Sequence, residues 1–130
     1  MVLDSSAIVA IVLREPGSEQ LASALDRAPT VGIGVPTLLE AGLVLSSRVP
    51  QDARLVLAEF LRRSEVAVIP FTEEHYQVAV DAFYRYGKGR HPAALNFGDC
   101  LAYAVARVSG MPLLFRGDDF SKTDIARPPA

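Results

Sequence analysis

The chain has 130 residues, half of them apolar, with 22% charged and a formal net charge of −2. Length and apolar content suit one domain with a sizeable core and exclude a disordered chain. The small net charge excludes nucleic-acid binding by bulk electrostatics and leaves only a local patch for such a role.

Residues 1–3 form a short apolar strand that ends at Asp4. Ser5 or Ser6 is placed to cap a helix running to about Leu13, and Pro16-Gly17 breaks the chain after it. No basic leader precedes the apolar run 7–13, which is too short to span a bilayer, so a soluble, cytoplasmic protein is expected. A second helix is predicted over 18–27 and a strand over 30–35, weakened by Gly32 and Gly34. Pro36 suits the first turn of a third helix to Ser47, and Pro50 starts a fourth that reaches Ser64. A compact β-branched strand covers 66–69. Thr72 with Glu73 and Glu74 opens a fifth helix, with Val78, Ala79, Ala82 and Phe83 as its buried stripe. Residues 86–96 read as a basic, glycine-bearing loop. A sixth helix spans about 97–108 and stops at Gly110, and 113–115 is the last strand. Short strands, apolar on both faces and alternating with helices, predict an α/β fold with a parallel sheet covered by helices. Sites in such sheets form at the carboxyl ends of the strands.

Four acidic positions stand out against that frame. Asp4 ends the first strand. Glu40 sits in a helical stretch, 37–45, that has no other charge. Asp99 opens the sixth helix and is followed by Cys100-Leu101-Ala102. Asp118 and Asp119 follow the strand 113–115. Taken singly, Asp4 and Asp99 fit helix caps and the 118–119 pair fits a solvated turn. Glu40 is harder to place, since burying an uncompensated carboxylate among leucines is costly. Together they point to carboxylates converging at one edge of the sheet. Two carboxylates about 4 Å apart repel by roughly 4 kcal/mol at an effective dielectric near 20, so such a group raises its pKa values or binds a cation. Oxygen-only ligands favour Mg²⁺ or Mn²⁺ where phosphate is the substrate. His75 and His91 match no zinc spacing and read as surface residues. Cys100, the only cysteine, excludes an intramolecular disulfide and a thiolate zinc site, and its apolar neighbours predict a buried thiol.

With these residues in view the chain resembles the PIN-domain ribonucleases, most closely the VapC toxins of toxin–antitoxin pairs. Met1-Val2-Leu3-Asp4-Ser5-Ser6-Ala7 is similar to the family's first acidic motif, and Thr37-Leu38-Leu39-Glu40-Ala41 to its second. Asn96-Phe97-Gly98-Asp99-Cys100-Leu101 is similar to the third, and Leu113-Leu114-Phe115-Arg116-Gly117-Asp118-Asp119-Phe120 to the last strand and its acidic turn. The resemblance implies a single PIN domain over 1–130, built as a three-layer sandwich with a mostly parallel sheet of four to five strands. It implies an Mg²⁺-dependent endoribonuclease (Mn²⁺ as substitute) with Asp4, Glu40, Asp99 and Asp118 as catalytic metal ligands. Ser6 either hydrogen-bonds a ligand or caps its helix. The turn is one residue shorter than in many relatives and has Gly117 where they carry a polar side chain. The fourth acid is therefore Asp118 or Asp119, with Asp118 the nearer to the expected place and Asp119 fixing the turn. The implied partners are RNA, a VapB-type antitoxin whose tail covers the acids, and a second copy in a homodimer.

From the residues themselves, no acid lies between Asp81 and Asp99, while Arg85, Lys88 and Arg90 stand beside Tyr84, Tyr86 and His91. That mixture suits single-stranded or looped RNA. Gly87-Lys88-Gly89 lacks the Ser or Thr of a P-loop, and the glycines at 32 and 34 lack the rest of a dinucleotide motif. A haloacid-dehalogenase type of phosphoryl transfer wants a second aspartate where Ser6 stands. A response-regulator receiver wants an aspartate after the strand 66–69, where Phe71-Thr72 follows. A non-catalytic domain of the same fold has no need of the acids.

Overall fold

The computed structural model describes residues 1–129. In chain order the elements are β1 (Val2–Leu3), α1 (Ser5–Val12), α2 (Ser18–Arg27), β2 (Val31–Gly34), α3 (Val35–Ser46), α4 (Ala53–Arg63), β3 (Val66–Ile69), α5 (Glu73–Tyr86), α6 (Phe97–Ser109) and β4 (Leu113–Leu114), with a 3-10 helix at Asp119–Lys122. The sheet has four strands in the order β3-β2-β1-β4, and every pairing is parallel. The register sets Val2 beside Gly32 and Leu113, and Val31 beside Val66.

Side-chain alternation along the strands divides the interior into two cores. Leu3, Val31, Ile33 and Leu114 pack with Ile8, Leu25, Ala41, Leu45 and Leu57 of α1 to α4. Val2, Leu113 and Phe115 pack with Ala82 of α5 and with Cys100, Tyr103 and Val105 of α6 on the opposite face. This three-layer arrangement follows from crossover handedness. The chain steps outward from β1 to β3 and then returns past β1 to β4, and right-handed crossovers in opposite directions put their helices on opposite faces.

Most helix starts carry an identifiable cap. Asp4 caps α1 through the Ser6 amide (3.1 Å), in place of the serines expected for that role. Asp52 caps α4, so that helix begins at Ala53 rather than at Pro50. Asn96 and Asp99 form a reciprocal capping box on α6, and Thr72 forms one with His75 on α5. His75 is thereby buried rather than on the surface, stacked on Phe71 with its Nδ1 accepting from the Thr72 amide at 2.9 Å. Phe83, expected in the α5 core stripe, is partly exposed, whereas Ala82 is fully buried. Gly110, at φ +66°, ends α6 in a left-handed turn.

The glycines of β2, which argue against a strand by propensity, have a packing role. Gly34 faces α6, and a Cβ there would stand 2.7 Å from Val105 Cγ2. The missing side chain lets α6 lie close to the sheet. Gly34→Ala is therefore expected to cost about 1–3 kcal/mol in urea melts, and Val105→Ala in the same chain to recover most of it. Additive losses in the double variant would show that the two positions do not compete for one space.

Candidate active site

Strand order alone marks one place on this sheet. The chain reverses direction across it between β1 and β4, and a crevice opens outside the carboxyl ends of strands at such a switch point. Asp4 stands there. Its amide donates to the Leu114 carbonyl at 2.9 Å and extends the β1–β4 ladder by one bond. Its side chain is 4% exposed and accepts from both the amide and the hydroxyl of Ser6. The Ser6 hydroxyl also accepts from the Arg116 amide at 3.0 Å, so one serine ties the start of α1 to the chain leaving β4. Ser6 thus does hydrogen-bond a candidate acid, while the cap itself is Asp4.

Glu40 approaches from α3, which leaves the neighbouring end of β2. Ser5 Oγ donates to its Oε1 at 2.8 Å, and its carboxylate lies flat on Gly98 in the first turn of α6. A Cβ at 98 would collide with Glu40 Oε2. Asp99, the next residue, is buried and accepts from the Asn96 amide at 3.0 Å. Two carboxylates therefore sit at the N-terminal turn of α6 and one at that of α1, where the helix dipoles favour negative charge.

Burial outweighs those favourable contacts. Loss of water raises the Asp4 carboxyl to about 6, the charge of Glu40 adds to the rise, and the Ser6 hydrogen bonds oppose it. Asp99 is also raised to about 6, chiefly by burial, with the charges of Asp4, Asp119 and Glu40 adding to it. The structure thus brings together Asp4, Glu40 and Asp99, and the charge of Asp119 reaches Asp99. Asp118 and Asp119 are both exposed; Asp118 is the N-cap of the 3-10 helix, and its carbonyl accepts from the Ser121 amide and hydroxyl at 3.1 and 2.6 Å. This turn is held by the backbone carbonyl of Asp118, with no capping hydrogen bond from its side chain.

The donor chemistry fits a hard divalent cation: carboxylate oxygens only, two of them pushed toward neutrality for want of a counter-charge. Among the described residues, no three such side chains yet stand in range of one ion, so closing on a cation needs side-chain rotation. Cys100 is buried beside the site, and burial pushes its thiol up to about 11, with the Asp99 charge adding to it. It is protonated and inert.

The basic segment differs from the expectation in one member. Arg85 is on α5 and is matched by Asp124 at 3.2 Å and Asp81 at 3.5 Å, so its charge is already paired within the fold. Lys88 and Arg90 have no carboxylate partner among the described residues. Arg90 lies over the rings of Tyr84 (4.7 Å) and Phe83 (5.5 Å). The loop is ordered, Lys88 and Leu95 each being held by backbone hydrogen bonds at 2.9 Å.

A feature absent from the sequence reading adjoins the acids. Leu39 and Leu43 of α3, Val80 and Phe83 of α5, and Phe97 of α6 leave apolar side chains exposed. They line a groove of about 940 Å³ that opens on Glu40 and Gly98. Its signal was visible in part: Leu39 and Leu43 are one helical turn apart, on a face other than the one that buries Thr37, Ala41 and Leu45.

The PIN domain family matches residues 1–126. A protein from Mycolicibacterium smegmatis named Ribonuclease VapC is 43% identical over 126 residues, covering 97% of this chain and 98% of its own. Ribonuclease VapC30 of Mycobacterium tuberculosis is 39% identical over 97% of this chain and 96% of its own. Among solved structures, the crystal structure of M. tuberculosis VapC20, a Sarcin-Ricin loop cleaving toxin, superposes with a TM-score of 0.76 at 21% identity over 98% of both chains. VapBC2 from Rickettsia felis, bound to a DNA fragment from their promoter, superposes at 0.74 with 15% identity over 97% of this chain and 94% of the other. The family match, the identities and the coverage agree, and the chain belongs to the PIN-domain family as a VapC ribonuclease relative.

Proposed function

We propose that this chain, read as one PIN domain over 1–130, is the toxin of a toxin–antitoxin pair and hydrolyses RNA phosphodiester bonds as an Mg²⁺-dependent endoribonuclease. The observation that carries the proposal is the gathering of buried carboxylates at the switch point of the sheet, in a chain whose relatives are ribonucleases. Asp4, Glu40 and Asp99 are the proposed ligands, directly or through water. Asp119 is proposed as the fourth acid in place of Asp118, supported by the effect of its charge on Asp99. Bound there, Mg²⁺ supplies Lewis acidity toward the phosphodiester and lowers the pKa of water; Mn²⁺ is the expected substitute. The protein's part is positional: Ser5 orients Glu40, Ser6 orients Asp4, and Asn96 orients Asp99. Lys88 and Arg90 supply the cations that draw the RNA backbone toward the acids, with Tyr84 beside them for base stacking.

Two protein partners follow. The apolar groove beside Glu40 is the proposed contact between two copies of the chain, since exposed Leu39, Leu43 and Phe97 form a self-complementary patch if paired about a two-fold axis. A VapB-type antitoxin is the second, covering the acids with a basic side chain. Among the described residues no helix is long and apolar enough to cross a membrane. The proposed place of action is the cytoplasm.

Purified protein is expected to cut RNA with Mg²⁺ or Mn²⁺ and to stop in EDTA, and Asp99→Asn to abolish cleavage with an unchanged circular dichroism spectrum. Cleavage that survives EDTA would end the metal mechanism. By calorimetry, Asp119→Asn is expected to weaken Mn²⁺ binding more than Asp118→Asn, and the reverse order returns the fourth position to Asp118.

Metal-free stability should also depend on pH. A carboxyl raised from its usual 3.8 to about 6 makes the folded state bind protons more tightly than the unfolded one. That contribution to stability is full below about pH 4 and is lost as pH rises through about 6. Asp4 alone accounts for a fall of up to roughly 3 kcal/mol. Asp4→Asn, whose amide oxygen can still cap α1, is expected to flatten that fall and raise the melting temperature at pH 7. A melting temperature lowered at pH 7 would mean that the charged cap outweighs burial.

Leu43→Glu is expected to convert a dimer to monomer in sedimentation experiments. A wild-type chain that sediments as a monomer at tens of micromolar would count against the pairing.

A further inference from the structure

The chain beyond β4 runs as a strap across the second core. It leaves through Arg116, whose amide is tied to Ser6, turns at Gly117 with φ +95°, and carries Asp119 at the start of the 3-10 helix. Hydrogen bonds along 118–123 are local: Ser121 to the Asp118 carbonyl, Thr123 to that of Phe120. None of them fixes the strap to the body of the protein. The Phe120 ring is buried against Phe115, with ring centres 5.1 Å apart, which pins one point. Beyond Phe120 the strap is held by the Ala126 carbonyl, which accepts from the Leu113 amide at 2.9 Å, and by the side chain of Asp124. Its Oδ1 accepts from the Tyr103 hydroxyl at 2.6 Å, and its Oδ2 accepts from Arg107 at 2.8 Å and Arg85 at 3.2 Å. One carboxylate thus joins the strap to two turns of α6 and to the end of α5. Three donors from two helices converge on one carboxylate.

We infer that Asp124 is a positioning residue for the metal site: it closes the far end of the strap so that Asp119 is held beside Asp99. Phe120 pins the residue next to Asp119, and the Asp124 node adds a side-chain anchor beyond it, so the acid is held between fixed points. This assignment rests on the reading of Asp119 as the fourth acid. It also accounts for Arg85, which is withdrawn from any RNA track because it serves this node.

The test is a double-variant cycle on the full chain, with Mn²⁺ as the probe and calorimetry as the readout. Asp119→Asn and Asp124→Asn are each expected to weaken Mn²⁺ binding about tenfold, the scale at which outer partners of metal ligands act. Together they should bind no more weakly than Asp119→Asn alone, and Asp124→Glu should restore most of the loss. A merely structural role for Asp124 gives additive losses instead, and that result overturns the inference while leaving Asp119 as a ligand. Unchanged Mn²⁺ binding in Asp119→Asn overturns both. Should Asp124→Asn fail to fold, Tyr103→Phe removes only the 2.6 Å hydrogen bond and keeps the ring in place. It is expected to give a smaller loss that again vanishes in the Asp119→Asn background, and a loss that persists there counts against the inference.

Discussion

A carboxylate buried at the carboxyl end of the central strand pair is the constraint around which the rest of this structure is arranged. Asp4 cannot be moved outward, because its own amide continues the β1–β4 ladder. Its charge is therefore met locally. The Ser6 amide and hydroxyl point at it, which fixes where α1 begins, and the same hydroxyl receives the Arg116 amide, which fixes where the chain goes after β4. These contacts offset part of the desolvation and leave the rest standing. A helix cap and a metal ligand are usually offered as competing explanations for such an aspartate. Here the cap uses one carboxylate oxygen, and the unpaid desolvation is what makes the group receptive to a cation.

Bringing a second and third acid to the same place requires that α6 come close, and positions without side chains permit it. Gly34 gives Val105 room against the sheet, and Gly98 gives the Glu40 carboxylate a flat bed on the first turn of the helix. Asn96 completes that turn by exchanging hydrogen bonds with Asp99. The distance between helix and sheet, and hence between Asp99 and Asp4, is set by these small residues more than by the large ones of the core.

This explains which parts were legible in the sequence. The alternation of apolar strands and helices identified the parallel α/β sheet, and a lone acid after β1, within α3 and at the start of α6 pointed to three carboxylates that the fold gathers. Those signals are local, and period or neighbour identity suffices to read them. Gly34 weakens β2 by propensity, and its value lies in a helix more than seventy positions away, while Gly32 makes room for Ile69 of β3. Arg85 was read as free because its partner Asp124 follows it by 39 residues. Spacing alone does not order the pair 118–119, since both stand in one exposed turn after β4. The apolar groove combines faces of α3, α5 and α6 that adjoin only after folding.

On the proposed reading, one electrostatic deficit accounts for several properties usually treated apart. Asp4 and Asp99 are each held above their ordinary range by burial, the charge of Glu40 adds to both and that of Asp4 to Asp99, and no cation is among the groups that shift them. A divalent ion relieves that deficit and creates the active enzyme. Protons relieve it as well, since neutral carboxyls neither repel nor ligate, so acid and metal compete for the same oxygens. A basic side chain from a partner relieves it in a third way, by supplying charge without Lewis acidity. An antitoxin that neutralises the acids therefore needs no separate allosteric route. It binds where the folded protein is least satisfied, and the energy gained by matching that charge is available only while the site lacks its metal.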